Sequence, residues 1–162
     1  MKNLIPLVKF LSDYDISKLI DYAKSAKWRE HYSTKTGVKT PLEFTPITQE
    51  VLDTLEDCPI DNLENNKDIK MMLSRLHPNT IQDWHTDGKQ NKRNTVVIHP
   101  LTENYAPLYT RNNMSSCPVI LNTQEEHKII NNDNLRINFQ ICYEEDLEKV
   151  KDKWIGYILP MI

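Results

Sequence analysis

A histidine and an aspartate stand two residues apart in Trp84-His85-Thr86-Asp87-Gly88, a second histidine follows at His127, and an arginine at Arg136. Imidazole nitrogen and carboxylate oxygen are donors that divalent first-row metals accept. On an extended chain, residues i and i+2 project to the same side, so His85 and Asp87 can reach one ion together. A third donor from a distant strand then closes one face of the coordination shell and leaves the other face open. The planar fork of a guanidinium matches a carboxylate. Together the four residues read as an iron site with a binding post for an acidic cosubstrate.

Holding such a set requires a β-rich frame, and the hydropathy pattern provides one. From Met71 onward the period is two. Strands are expected over Met71–His77, Ile81–Asp87, Asn94–Leu101 and Leu135–Tyr143, with shorter ones near 107–110, 118–121 and 128–131. In Asn94–Leu101 the alternation sets Thr95, Val97, His99 and Leu101 on one face and Val96 and Ile98 on the other. The front third is different. Ser12-Asp13 offers an N-cap ahead of Ile16, Leu19, Ile20 and Ala23 at helical spacing, and Thr48 precedes a second short helix through Val51, Leu52 and Leu55. Residues 29–46 read as a long loop with one short strand at most. Glu144–Lys153 reads as a charged helix, and the apolar tail Trp154–Ile162 as a segment that docks back on the core.

The expected class is therefore α+β, mainly β, in one domain over 1–162. Residues 1–69 form a helical cover, 70–143 a β-sandwich or barrel, and 144–162 a closing helix and tail. A tight turn centred on Asn132-Asp133 would make a hairpin that opposes Ile129 to Arg136 and His127 to Asn138. His127 and Arg136 then become diagonal neighbours on one face.

Composition excludes several classes. The 162 residues carry 20 Lys and Arg against 23 Asp and Glu, a formal charge of −3, with no basic run of the kind that tracks a phosphate backbone. Cys58, Cys117 and Cys142 are odd in number and form no Cys-x-x-Cys pair, which argues for reduced thiols. The apolar stretches at both ends fall short of a membrane span or a signal segment. The expectation is a soluble, cytoplasmic protein with no nucleic-acid or membrane partner.

Blander readings of the same residues stay open at this level. A His-x-Asp pair alone is a weak signal. His127 follows Glu125-Glu126 and is equally at home as a surface histidine, and Arg136 as a solvated strand residue. Trp84 should turn away from the metal and pack. The Asn104–Ser116 loop, with Tyr105, Tyr109, Arg111 and Asn112, lies between the metal-binding halves and is the expected place for substrate selection. His31 and His77 receive no role.

Leu73-Ser74-Arg75-Leu76-His77-Pro78-Asn79-Thr80, His85-Thr86-Asp87, Val97-Ile98-His99 and the run from His127 to Arg136 also carry a resemblance. Over about residues 70–143 the chain resembles the iron(II)/2-oxoglutarate-dependent oxygenases. Within them it is most similar to the aspartyl/asparaginyl β-hydroxylase-like branch, which includes free-proline hydroxylases. The resemblance implies a double-stranded β-helix, a cupin-like jelly roll with buttressing N-terminal helices. It implies Fe(II) bound by His85, Asp87 and His127, with Arg136 on the distal carboxylate of 2-oxoglutarate and Ser74 and His99 assisting the cosubstrate. The implied activity is a dioxygenase that uses dioxygen to hydroxylate an unactivated C–H bond of an amino acid or peptide side chain, releasing succinate and CO2. The rival reading is a non-catalytic jelly-roll protein that binds a metal or ligand. Two departures stand out. Asp87 occupies a position where vertebrate-type aspartyl β-hydroxylases have glycine, and Val97 one where they have arginine. Arg75 and Arg93 are the candidate replacements for that arginine.

Overall fold

The alternating segment that ends at Tyr143 lies at the centre of the architecture. In the computed structural model, which describes residues 3–33, 36–87, 94–115 and 118–160, Arg136–Tyr143 (β11) is buried on both faces. It pairs antiparallel with Ile69–Leu76 (β4) on one side and Thr95–Pro100 (β6) on the other. Beyond β6 lie Val119–Asn122 (β9) and then Leu4–Pro6 (β1). Beyond β4 lie Lys39–Pro46 (β3) and then Arg29–Tyr32 (β2). These seven strands form one sheet, in the order β1-β9-β6-β11-β4-β3-β2. A second sheet of four strands runs Ile81–His85 (β5), His127–Ile130 (β10), Leu108–Thr110 (β7) and Met114–Ser115 (β8). Every pairing between these strands is antiparallel.

Alternation along the strands divides the buried side chains into two clusters. Val97, Leu73, Ile137, Phe139, Ile141 and Tyr143 point to the outer face of the large sheet. There they meet the helices Asp13–Ser25 (α1), Gln49–Leu52 (α2) and Leu147–Lys153 (α3). Leu76, Val96, Ile98, Leu121 and Cys142 point inward and meet Leu108 and Ile129 of the small sheet. Two facing antiparallel sheets with helices on one outer face make a double-stranded β-helix, a jelly roll, as expected.

The helix starts follow the capping residues. Ser12 accepts from the Asp15 amide at 3.1 Å, Thr48 from Val51 at 3.4 Å, and Asp146 from Lys149 at 3.1 Å. The tail docks as expected. Ile158 bridges Leu7, Trp154 is buried against Phe10 with ring centroids 4.8 Å apart, and the Leu159 amide donates to Pro6 at 3.0 Å.

Three expectations need correction. Residues 29–46 are not mainly loop: β2 and β3 extend the large sheet through Leu42–Leu76 and Phe44–Ser74 pairs. Strand β5 stops at His85, so Asp87 lies beyond it. The hairpin between β10 and β11 does not form. His127 opposes His85 and Thr110, and Ile129 opposes Gln82 and Leu108, while Arg136 opposes Leu76 in the other sheet. The Asn131–Asn134 segment crosses between sheets instead of reversing within one. Asn131 directs this crossing: its side-chain amide donates to the carbonyls of Leu76 (3.0 Å), His77 (2.9 Å) and Asn134 (2.9 Å). Turn-forming composition marks the change of direction but not which sheet receives the next strand.

Candidate metal centre

His85 ends β5 and His127 begins β10, and the pairing of these two strands sets them directly opposite each other. Their ring centroids stand 4.2 Å apart. Asp87 is brought back toward them by the Thr123–Glu126 turn between β9 and β10, with its amide donating to the Thr123 carbonyl at 2.9 Å. Asp87 Oδ1 lies 3.7 Å from His85 Nε2 and 3.5 Å from His127 Nε2. Donor atoms of all three lie within 4.8 Å of one another, and this is the group of such donors found among the described residues.

Two backbone carbonyls decide which nitrogen of each ring carries hydrogen. His85 Nδ1 donates to the Asp83 carbonyl at 2.7 Å, and His127 Nδ1 to the Glu125 carbonyl at 2.8 Å. A carbonyl only accepts, so Nδ1 must be the protonated nitrogen in each ring. Both Nε2 lone pairs then face the Asp87 carboxylate, the tautomer a metal requires. Burial and the neighbouring His127 hold the His85 pKa below its ordinary value, which favours the neutral, ligating form. Cis donors about 2.1 Å from a metal stand about 3 Å apart, so the two spacings to Asp87 Oδ1 need to close by only several tenths of an ångström. The donor set fits a divalent ion such as iron(II).

The three donors border a cavity of about 550 Å³ between the sheets. Its inner wall is apolar at Val96, Ile98, Leu108, Leu121 and Ile129, and polar at Asn138 and Gln140. His31 and Thr40 of the β2–β3 hairpin border it too, joined to each other at 3.0 Å.

Arg136 lies on the same inward face of β11, two residues from Asn138, and is 3% exposed. Its Nη1 donates to the Ala106 carbonyl, the Tyr105 ring lies 5.4 Å from the guanidinium carbon, and Nε has no partner. No carboxylate among the described residues pairs with it, and burial pushes its pKa down to about 10. A buried cation without a counter-ion is costly. An orphaned guanidinium of this kind fits a ligand carboxylate, and so fits the distal carboxylate of 2-oxoglutarate.

The remaining expected site residues separate. Ser74 is fully buried on the inward face, accepting from Gln140 Nε2 at 2.9 Å and from Asn138 Nδ2 at 3.4 Å. His99 is not brought to the centre. It projects from the outer face of β6, accepting from the Leu11 amide at 3.4 Å through Nε2 and packing edge-on against Phe10 at 4.7 Å. From there it does not border the cavity and cannot sit beside an iron-bound carboxylate. Val97 shares that outer face and is fully buried, so an arginine there would not reach the cavity. Arg75 pairs with Glu43 at 2.8 Å and stacks over Trp28 at 4.3 Å, and Arg93 lies outside the described residues. Trp84 lies beneath Arg111 at 3.8 Å and Lys128 at 4.6 Å, and it also borders the cavity. The Asn104–Ser116 loop contributes Leu108 to the cavity, while Arg111 turns to Glu126 and Tyr105 and Ala106 hold Arg136.

Asn138, Gln140 and His31 were missed as site residues. For the first two the signal existed, since β11 alternates Arg136, Asn138 and Gln140 against an apolar face. For His31 no such signal exists, because residues 29–46 are polar and show no strand alternation.

No family model matches the chain, and no curated protein matches it. Solved structures do. A prolyl hydroxylase from Trichoplax adhaerens, in complex with a hypoxia inducible factor oxygen degradation domain peptide fragment, superposes with a TM-score of 0.65 at 14% identity, covering 94% of this chain and 87% of that one. An oxidoreductase of the 2OG-Fe(II) oxygenase family from Burkholderia pseudomallei gives 0.57 at 7% identity, covering 88% and 85%. A prolyl-4-hydroxylase from Pseudomonas putida gives 0.54 at 11%, covering 87% and 91%. These likenesses show the fold. Sequence identity this low transfers no activity by itself, and function has to be argued from the site.

Proposed function

We propose that this chain is an iron(II)- and 2-oxoglutarate-dependent dioxygenase that hydroxylates an unactivated C–H bond of an amino acid or peptide side chain. The observation that carries the reading is the convergence of His85, Asp87 and His127, with both Nε2 lone pairs turned toward the carboxylate. Arg136, buried and without a counter-ion among the described residues, supports the cosubstrate. The fold likeness to prolyl hydroxylases, one of them holding a peptide, supports a peptide-type substrate. Among oxygenase branches, the aspartyl/asparaginyl β-hydroxylase-like one keeps the support of Ser74 and the Leu73–Thr80 segment and loses that of His99. A cytoplasmic location is part of the same reading, and the thiol of Cys58 accords with it.

His85, Asp87 and His127 would hold the metal on one face and leave the opposite face to ligands. Iron(II) with 2-oxoglutarate and dioxygen supplies oxidative decarboxylation to succinate and CO2 coupled to C–H hydroxylation. Arg136 would bind the distal carboxylate of the cosubstrate and so fix its orientation, the positioning contribution a protein makes to such a reaction. Asn138 and Gln140, both hydrogen-bonded to the buried Ser74, form a polar strip on the inner wall beside the apolar Val96, Ile98 and Leu121. The carbonyls of Asp83 and Glu125 keep both imidazoles in the ligating tautomer without any proton moving.

Succinate release from 2-oxoglutarate by iron-loaded protein tests the proposal, first without substrate and then across free amino acids and short peptides. Release that depends on His127 and Arg136 is the expected result. Intact metal binding with no release under any condition would overturn the catalytic claim and leave a metal-binding jelly roll.

A further inference from the structure

Asp87 is the one donor of the three that no strand holds, because β5 ends at His85. Something else must keep its carboxylate in register with the two imidazoles. The turn between β9 and β10 is built to do so. Its Thr123 carbonyl accepts from the Asp87 amide at 2.9 Å, and the Gln124 side-chain amide donates to the Asp87 carbonyl at 3.2 Å. Asp87 is thus gripped at both backbone polar groups by two consecutive residues.

The same turn orients a second donor. The Glu125 carbonyl takes the His127 Nδ1 hydrogen at 2.8 Å, which fixes the tautomer and the ring plane. The turn is itself anchored. Asn122 Oδ1 accepts from the Gln124 amide at 3.1 Å, the Asn122 carbonyl accepts from Glu125 at 3.2 Å, and Thr123 donates to the Asn94 carbonyl at 3.2 Å. On the outside, Glu126 is ion-paired with Arg111.

We propose that the Thr123–Glu126 turn is the positioning bracket of the metal centre, and that Gln124 is the positioning residue whose side chain joins the carboxylate donor to the strand of the second imidazole. The inference rests on the metal reading above. Backbone bonds at Thr123 and Glu125 cannot be removed by substitution at their own side chains, whereas the Gln124 bond can, so Gln124 is where the bracket is testable. Groups that orient metal ligands from outside typically change metal affinity by about 10–100-fold when removed.

The experiment compares the unmodified protein with Gln124→Ala and Gln124→Leu in two measurements. The first titrates Co(II) into metal-free protein and follows its ligand-field absorption. Both variants should bind Co(II) about 10–100-fold more weakly, while the metal-free melting temperature moves by no more than a few degrees. The second follows hydrogen exchange at the Asp87 amide in metal-free protein, which should speed up about tenfold or more as the grip on Asp87 opens. A role confined to general stability would lower the melting temperature and leave Co(II) affinity unchanged, and that result overturns the bracket. So does unchanged exchange at Asp87. If the unmodified protein takes up no Co(II), or takes it up equally after His127→Ala, the metal reading itself fails.

Discussion

His127 Nε2 faces Asp87 Oδ1 across 3.5 Å, although one residue opens a strand and the other lies past the end of a different strand. Neither is placed by its neighbours in sequence alone. The pairing of β10 with β5 supplies the first, and the β9–β10 turn returns the second. The candidate metal centre is therefore a property of the small sheet's assembly and depends on two segments distant in sequence, 81–87 and 122–130.

Removal of any one donor should abolish tight metal binding. His85→Ala, Asp87→Ala and His127→Ala are each expected to lose the rise in melting temperature that Fe(II) or Mn(II) gives the unmodified protein, since a ligand bound by the folded state stabilises it by RT ln(1 + [L]/Kd), which vanishes as Kd rises above the ligand concentration. Thermal melts with and without metal, under anaerobic conditions, check this. A metal shift retained in all three variants would show that the ion binds elsewhere.

Arg136 should separate stability from cosubstrate binding. Its burial without a counter-ion costs free energy, with the pKa held down at about 10. Arg136→Met is expected to raise metal-free stability by about 1–3 kcal/mol, because an apolar side chain of similar length removes the uncompensated charge. It should keep the metal shift and lose the further shift from 2-oxoglutarate. Denaturant unfolding gives the first quantity and ligand-dependent melts the others.

His99 predicts an acid limb in stability. Burial among Phe10 and Leu11 holds its pKa at about 4, against 6.5 in the unfolded chain. The folded state therefore refuses a proton that the unfolded state accepts. Its contribution is complete above pH 6.5 and is lost as pH falls from 6.5 toward 4, by about 3 kcal/mol in all. His85, with a lowered pKa in the metal-free protein, acts in the same direction. His99→Gln should flatten this limb while leaving the 2-oxoglutarate shift intact. Loss of that shift would return His99 to the cosubstrate site.

Asn131 holds the crossing between the sheets through its three carbonyl partners. Asn131→Ala removes this donor at a position that is 6% exposed, leaving the His77 carbonyl only Thr80 Oγ1 at 2.7 Å, and should cost about 1–3 kcal/mol. Metal affinity measured well below the melting temperature should change little, because Asn131 touches none of the three donors. A variant of unchanged stability would mean that strand packing alone directs the crossing.

Much of the architecture was legible in the residues. Period-two alternation located β4, β6, β9, β10 and β11 to within a residue or two, and Ser12 and Thr48 marked two helix starts. The residue types of the metal centre were legible too, because few combinations of imidazole and carboxylate at His-x-Asp spacing in a β-rich chain suit the same ion. Arg136 was singled out for its chemistry, and the structure buries it on the face that carries Asn138.

Side and partner were not legible, for a physical reason. Strand β6 is buried on both faces, so alternation sorts His99 with Val97 and apart from Ile98 but cannot say which set faces the cavity. Only packing against α1 and the Phe10 segment makes the His99 side the outer one. Similarly, the Asn-rich stretch before β11 announces a turn, yet the choice between a hairpin and a crossing depends on carbonyls at Leu76 and His77, distant in sequence. The amino-acid sequence by itself determined which residue types could serve a metal and where most strands from β4 onward lie, though not β2 and β3. The tertiary structure decided which of them meet, because strand pairing and sheet stacking are set by contacts between parts of the chain that local propensity does not connect.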